Sequence, residues 1–80
     1  MTNVYIVKQN DMILGVFSNR IKALNMLFEQ FRLLDIKSEI NMDQAKELFQ
    51  NKREFNTNGL DENGKSDYSF IMTILKKAVL

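Results

Sequence analysis

The side chains that most often carry out chemistry are scarce in this 80-residue chain, which has no histidine and no cysteine. Their absence removes thiol nucleophiles, Ser–His dyads and the commonest zinc sites together. Ser18, Ser38, Ser66 and Ser69 are hydroxyls without a base placed beside them. The carboxylate pairs Asp61 with Glu62 and Glu47 with Glu54 are the right type for general acid–base work. Neither falls in an apolar stretch that would perturb its ionisation, so both read as solvated charge. Glu54-Phe55-Asn56-Thr57-Asn58-Gly59 imitates the first half of a calcium loop, with oxygen ligands at alternate positions and a turn glycine. The position that should carry a bidentate acid holds Lys65, whose charge repels the ion. The two Asn-Gly pairs lack the strand–glycine–helix arrangement of a phosphate cradle. The expectation is a protein that is not an enzyme and takes no metal and no cofactor.

What remains is binding chemistry. Lys52 and Arg53 near the end of a second helix, Lys65 in the following loop, and Lys76 and Lys77 at the end of the last strand would form one basic patch if that strand lies beside that helix. Such a patch suits RNA, with Tyr5 or Tyr68 available to stack a base from a solvent face and Arg20, Lys22 and Arg32 as a second basic group near the first helix. The plainer account is that cations near a helix C-terminus stabilise its dipole and that Lys76-Lys77 guards a strand edge. Eleven Lys and Arg against ten Asp and Glu leave a net charge of +1, which disfavours general coating of DNA.

Positioning these groups requires a fold, and the apolar pattern supplies one. Val4 to Lys8 and Met12 to Phe17 are short β-branched and aromatic runs separated by Gln9-Asn10-Asp11, which predicts a hairpin over 3–17 with Gly15 at a bulge or close approach. Ser18 is the expected cap of a helix over 19–35. Its stripe is Ile21, Leu24, Leu27, Phe28, Phe31 and Leu34, widened by Ala23, Met26 and Leu33. Asn41, with Gln44 in a capping box, starts a second helix over 42–54. Residues 36–41 read as a linker, with a short strand or an earlier helix capped by Ser38 as alternatives. Residues 55–67 read as a loop, and 68–77 as a final strand apolar on both faces.

The predicted fold class is therefore α+β, a three-stranded antiparallel sheet with two helices on one face, in the order β-β-α-α-β and within a single domain spanning 1–80. The last strand is expected beside the first. The wide apolar girth of the first helix and the two-sided last strand point to an interface, either with a second copy or with a target protein. No apolar run approaches the ~18 residues needed to span a bilayer, and the N-terminus carries no secretion signal, so a cytoplasmic location is expected.

Val4-Tyr5-Ile6-Val7, followed by Gly15-Val16-Phe17-Ser18-Asn19-Arg20-Ile21-Lys22-Ala23, resembles a pattern in small bacteriophage early proteins: two strands, a Val-Phe-Ser junction and a Lys-Ala helix start. The resemblance covers the first third of the chain. It implies a small protein of the host cytoplasm that binds and inhibits a host or anti-phage defence protein. On that reading the contact residues are Met26, Arg32, Leu33, Asn58 and Lys65. The alternatives are an RNA-binding regulator or antitoxin-like inhibitor of a ribonuclease toxin system, acting through Lys52, Arg53, Lys76 and Lys77, and a homodimeric structural module.

Overall fold

A computed structural model describes residues 2–79. Strands β1 (Thr2–Gln9) and β2 (Met12–Phe17) form the expected hairpin. Gln9 pairs with Met12, so the turn itself is Asn10-Asp11, with Asn10 at φ 50° in the left-handed region that asparagine tolerates. Val7 lies opposite Gly15 and Lys8 opposite Ile13, which leaves Leu14 as the extra residue of a bulge. The bulge breaks strict alternation, so that Ile13 and Val16 emerge on one face instead of opposite ones.

Helix α1 spans Arg20–Leu33 and is capped by Asn19 rather than Ser18. The Asn19 Oδ1 accepts from the amides of Ile21 and Lys22 at 2.7 and 3.2 Å, satisfying two of the donors a first turn leaves open. The helix stops two residues short of the expected end, and Asp35 turns the chain at φ 54°. Ala23, Leu24, Leu27 and Phe31 form its buried stripe, while Ile21, Met26 and Phe28 pack at the margins of the core. Leu33 and Leu34 are exposed.

Helix α2 (Met42–Phe49) begins with the expected capping box: the Gln44 amide donates to Asn41 Oδ1 at 2.8 Å, and the Asn41 amide to Gln44 Oε1 at 2.9 Å. It ends five residues before the predicted boundary, because Glu54 already begins a strand. That strand, β3 (Glu54–Leu60), and β4 (Ser66–Val79) replace most of the predicted 55–67 loop and leave only residues 61–65 as a turn. The sheet therefore has four strands, not three, in the antiparallel order β2-β1-β4-β3. Strand β4 pairs with β1, as its two-sided apolar character implied.

Asn56, Asn58 and Gly59 have poor intrinsic strand preference, which is why this stretch reads as loop. Burial overrides that preference. Phe55, Thr57 and Gly59 point alternately to the helix side and are buried, while Asn56 is exposed and Asn58 half-buried. Residues 37–39 are neither helix nor free linker. They run along β3, with the Leu60 amide donating to the Lys37 carbonyl at 2.8 Å and the Glu39 amide to the Asn58 carbonyl at 3.2 Å. Ser38 bridges to Gly59, and its hydroxyl accepts from Ile40 instead of capping a helix.

Both helices cover one face of the sheet. Val7, Phe55, Phe70, Met72 and Ile74 meet Leu24, Leu27, Phe31, Ala45 and Phe49 in a single core, with edge-on or tilted ring pairs Phe31–Phe70 at 5.4 Å and Phe49–Phe55 at 5.7 Å. Gly59 sits where the 37–39 segment crosses this core, and a Cβ there would lie 2.7 Å from Ile36 Cγ2 and 3.1 Å from Phe70 Cδ1. Gly59→Ala should accordingly lower stability by about 1–3 kcal/mol through overpacking. Urea denaturation checks this, and a change below half a kcal/mol would mean that the crossing is loosely packed.

Candidate interaction surfaces

With both helices on one side, the opposite face of the sheet has no cover among the described residues. Register places Ile6 between Val16 and Leu75, Lys8 between Ile13 and Thr73, and Val4 beside Lys77 on this outer face. Glu54, Asn56 and Asn58 continue it across β3, opposite Leu75, Thr73 and Ile71. The result is an apolar surface along β2, β1 and β4, crossed by Lys8 and Thr73 and bounded by Lys77 and by polar side chains on β3. Ile13 and Val16 expose 61% and 59% of their surface, far more than an ordinary strand leaves open on apolar side chains. A shallow hollow on the same face is lined by Lys8, Asn56, Tyr68, Ile71 and Thr73, among others. The Thr73 hydroxyl donates to Asn56 Oδ1 at 2.7 Å across it.

This face escapes a reading of the sequence because it depends on two things that periodicity does not show. One is the fourth strand, and the other is the bulge at Leu14 that puts Ile13 and Val16 together. The available signal was β4 itself, whose second apolar set, Ile71 and Leu75, has no helix to meet.

The residues expected to contact a protein partner are dispersed. Met26 is half-buried and packs against the core, whereas Leu33 is 62% exposed at the end of α1. Arg32 lies beside it on the surface in a bidentate pair with Glu29. Hydrogen bonding to the guanidinium, and then its charge, hold the Glu29 carboxyl below the usual carboxylate range. Asn58 lies in β3, its amide donating to Glu39 Oε1 at 3.1 Å and its side chain to the Asp67 carbonyl at 3.4 Å. Lys65 belongs to the 61–65 turn, where its amide donates to Asp61 Oδ1. These five residues do not form one patch.

Four of the five cations expected to cluster come together. Lys52, Arg53, Lys76 and Lys77 line one groove together with Asn3, Asn51 and Ala78. The Lys76 amide donates to the Arg53 carbonyl at 2.7 Å, tying the α2–β3 connection to the end of β4. Lys65 stands apart from it, in the turn that precedes β4. Of the two tyrosines, Tyr5 turns toward the helices and packs edge-on against Phe49 at 6.0 Å, so it is not a solvent-face platform. Tyr68 is 77% exposed beside the outer-face hollow.

Among the described residues no group of acids is arranged to hold a metal ion, and no helix is long and apolar enough to cross a membrane. The sequence matches no protein-family model and no curated relative, and the fold matches no solved structure.

Proposed function

We propose that this protein is a phage-encoded binding module without chemistry of its own, which occupies and inhibits a host or defence protein through the bare face of its sheet. The observation that supports this reading most is the apolar band of Val4, Ile6, Ile13, Val16, Ile71 and Leu75, left without cover while both helices pack on the other side. Apolar side chains grouped on a rigid sheet bury area on binding at little ordering cost. Strand β2 adds a second means of attachment. It is an outer strand of the sheet and carries no charged residue, so its free backbone groups are open to strand addition.

The test uses tagged protein against bacterial host lysate, beside the variants Val16→Glu and Ile13→Glu, whose side chains are exposed and whose folding should be unchanged by circular dichroism. A stoichiometric partner should survive nuclease and high salt, be lost with both variants, and lose its own activity when the wild-type protein is added back. Partners captured equally by the variants would sink the reading. A monomer–dimer equilibrium abolished by the same two substitutions, with no other partner, would replace it with the homodimeric module.

A further inference from the structure

The basic groove at the far end of the sheet lies apart from the outer-face hollow, with Lys77 at its border with the apolar band beside Val4, and its charge does not depend on the reading above. It is an open groove where β1 begins and β4 finishes, and four of the residues that line it are cationic. No carboxylate side chain lines it among the described residues, and the one ion pair among them, Arg32 with Glu29, is elsewhere.

Two ordinary roles for these cations can be weighed against the geometry. Lys52 and Arg53 follow the last turn of α2, where positive charge is favourable beside unsatisfied carbonyls. That role accounts for two of the four. Lys76 and Lys77 lie past the last β3–β4 pair, Glu54 with Leu75, where β4 has β1 on one side and only the Lys76–Arg53 bond on the other, so guarding that margin accounts for their charge but not for their placement against Lys52 and Arg53. Gathering them against Lys52 and Arg53 costs repulsion that the fold does not recover through any ion pair between described side chains. A bound polyanion recovers it.

The lining also distinguishes between polyanions. An acidic protein segment gains most of its affinity from apolar and aromatic anchors buried in pockets, and among the described residues Ala78 is the one apolar side chain lining the groove. Phosphodiesters need no such anchors. They are held by Lys and Arg with amide donors alongside, which is the composition that Asn3 and Asn51 complete. No aromatic side chain lines the groove, so nothing in it would stack or read a base.

We infer that this groove seats the phosphodiester backbone of a nucleic acid, held by Lys52, Arg53, Lys76 and Lys77 without preference for sequence. Fluorescence anisotropy with labelled twelve-nucleotide oligo-U, oligo-dT and a twelve-base-pair duplex tests this and shows which source of phosphodiester binds best. For the best of the three, the logarithm of affinity should fall with the logarithm of salt at a slope of about −3, a loss of about 60-fold between 50 and 200 mM. Lys52→Glu with Lys77→Glu should weaken binding at least about tenfold, whereas Lys22→Glu with Lys37→Glu, an equal charge change on exposed positions elsewhere, should change it about twofold or less. Equal weakening by both pairs would overturn the inference in favour of unspecific net charge. Equal affinity for polyglutamate would overturn it in favour of an acidic protein ligand, and the absence of saturable binding at 50 mM salt would overturn it outright. Val16→Glu should leave the titration unchanged, so failure of the outer-face reading is seen separately.

Discussion

Phe49→Ala should remove a large share of the stability of this protein. Phe49 is 1% exposed and closes the core from α2, edge-on to Tyr5 and tilted on Phe55. Truncating a buried phenylalanine costs about 3–5 kcal/mol in transfer energy and cavity. A domain of this length is worth only about 4–12 kcal/mol in total. The neighbours have little freedom to collapse into the space, since Phe55 is fixed by its pairing with Ile74 in β3–β4 and Tyr5 by its pairing with Phe17 and Lys76. Helix α2, at eight residues, is too short to persist without this anchor. Urea denaturation followed at 222 nm measures the loss, and Phe49→Leu should cost about 1.5 kcal/mol or less, since most of the volume is kept. If Phe49→Ala cost under 1 kcal/mol, α2 would not be seated on the sheet as described.

The second large effect comes from an exposed residue. Asn10 sits in the hairpin turn, yet its side-chain amide donates to the Ser69 carbonyl at 2.9 Å, its Oδ1 accepts from the Ile71 amide at 2.9 Å, and its own amide donates to the Ile71 carbonyl at 2.8 Å. These bonds occupy backbone groups of β4 at the point where its pairing with β3 jumps from Ile71 to Asp67. Asn10→Ala removes both side-chain bonds, at about 1 kcal/mol each, and places a Cβ without polar compensation at φ 50°, for about 1 kcal/mol more. The expected total is about 2–4 kcal/mol. Asn10→Gly isolates the parts, because it loses the bonds but not the backbone preference, and it should be about 1 kcal/mol more stable than the alanine variant. Hydrogen exchange provides an independent check, since the Ile71 amide should lose protection in both variants while the Val7 amide keeps it. Equal stability of Asn10→Ala and wild type would show that the turn is not clipped to β4.

Residues whose role is local were readable from the chain. The Asn41–Gln44 capping box needs only its own four residues, and the β1–β2 hairpin needs only two apolar runs and a short polar break. The cap of α1 was displaced by one residue, because Ser18 and Asn19 are both good caps and the choice between them depends on where Phe17 must sit opposite Tyr5. Strand β3 was not readable in the same way. Its alternation of Phe55, Thr57 and Gly59 is present, but two of its outer positions are asparagines, and the glycine is demanded by Ile36, a residue 23 positions away in a segment that itself looked like linker. The basic groove was conditional on whether β4 ends beside α2, and the Lys76–Arg53 hydrogen bond places that end beside the connection that follows the helix. The outer face required the whole topology at once.

The segment 37–39 that lies against Asn58–Leu60 has a consequence for assembly. An isolated antiparallel sheet with two accessible margins is a template that can grow in both directions and end as a fibre. Here one margin is obstructed by the protein's own chain and the other, β2, is open, so strand addition is a terminating event. One incoming strand, whether from a partner or from a second copy, consumes the one margin that lies open along its whole length among the described residues. The protein can therefore keep an uncharged, adhesive strand on its surface without becoming the seed of a polymer.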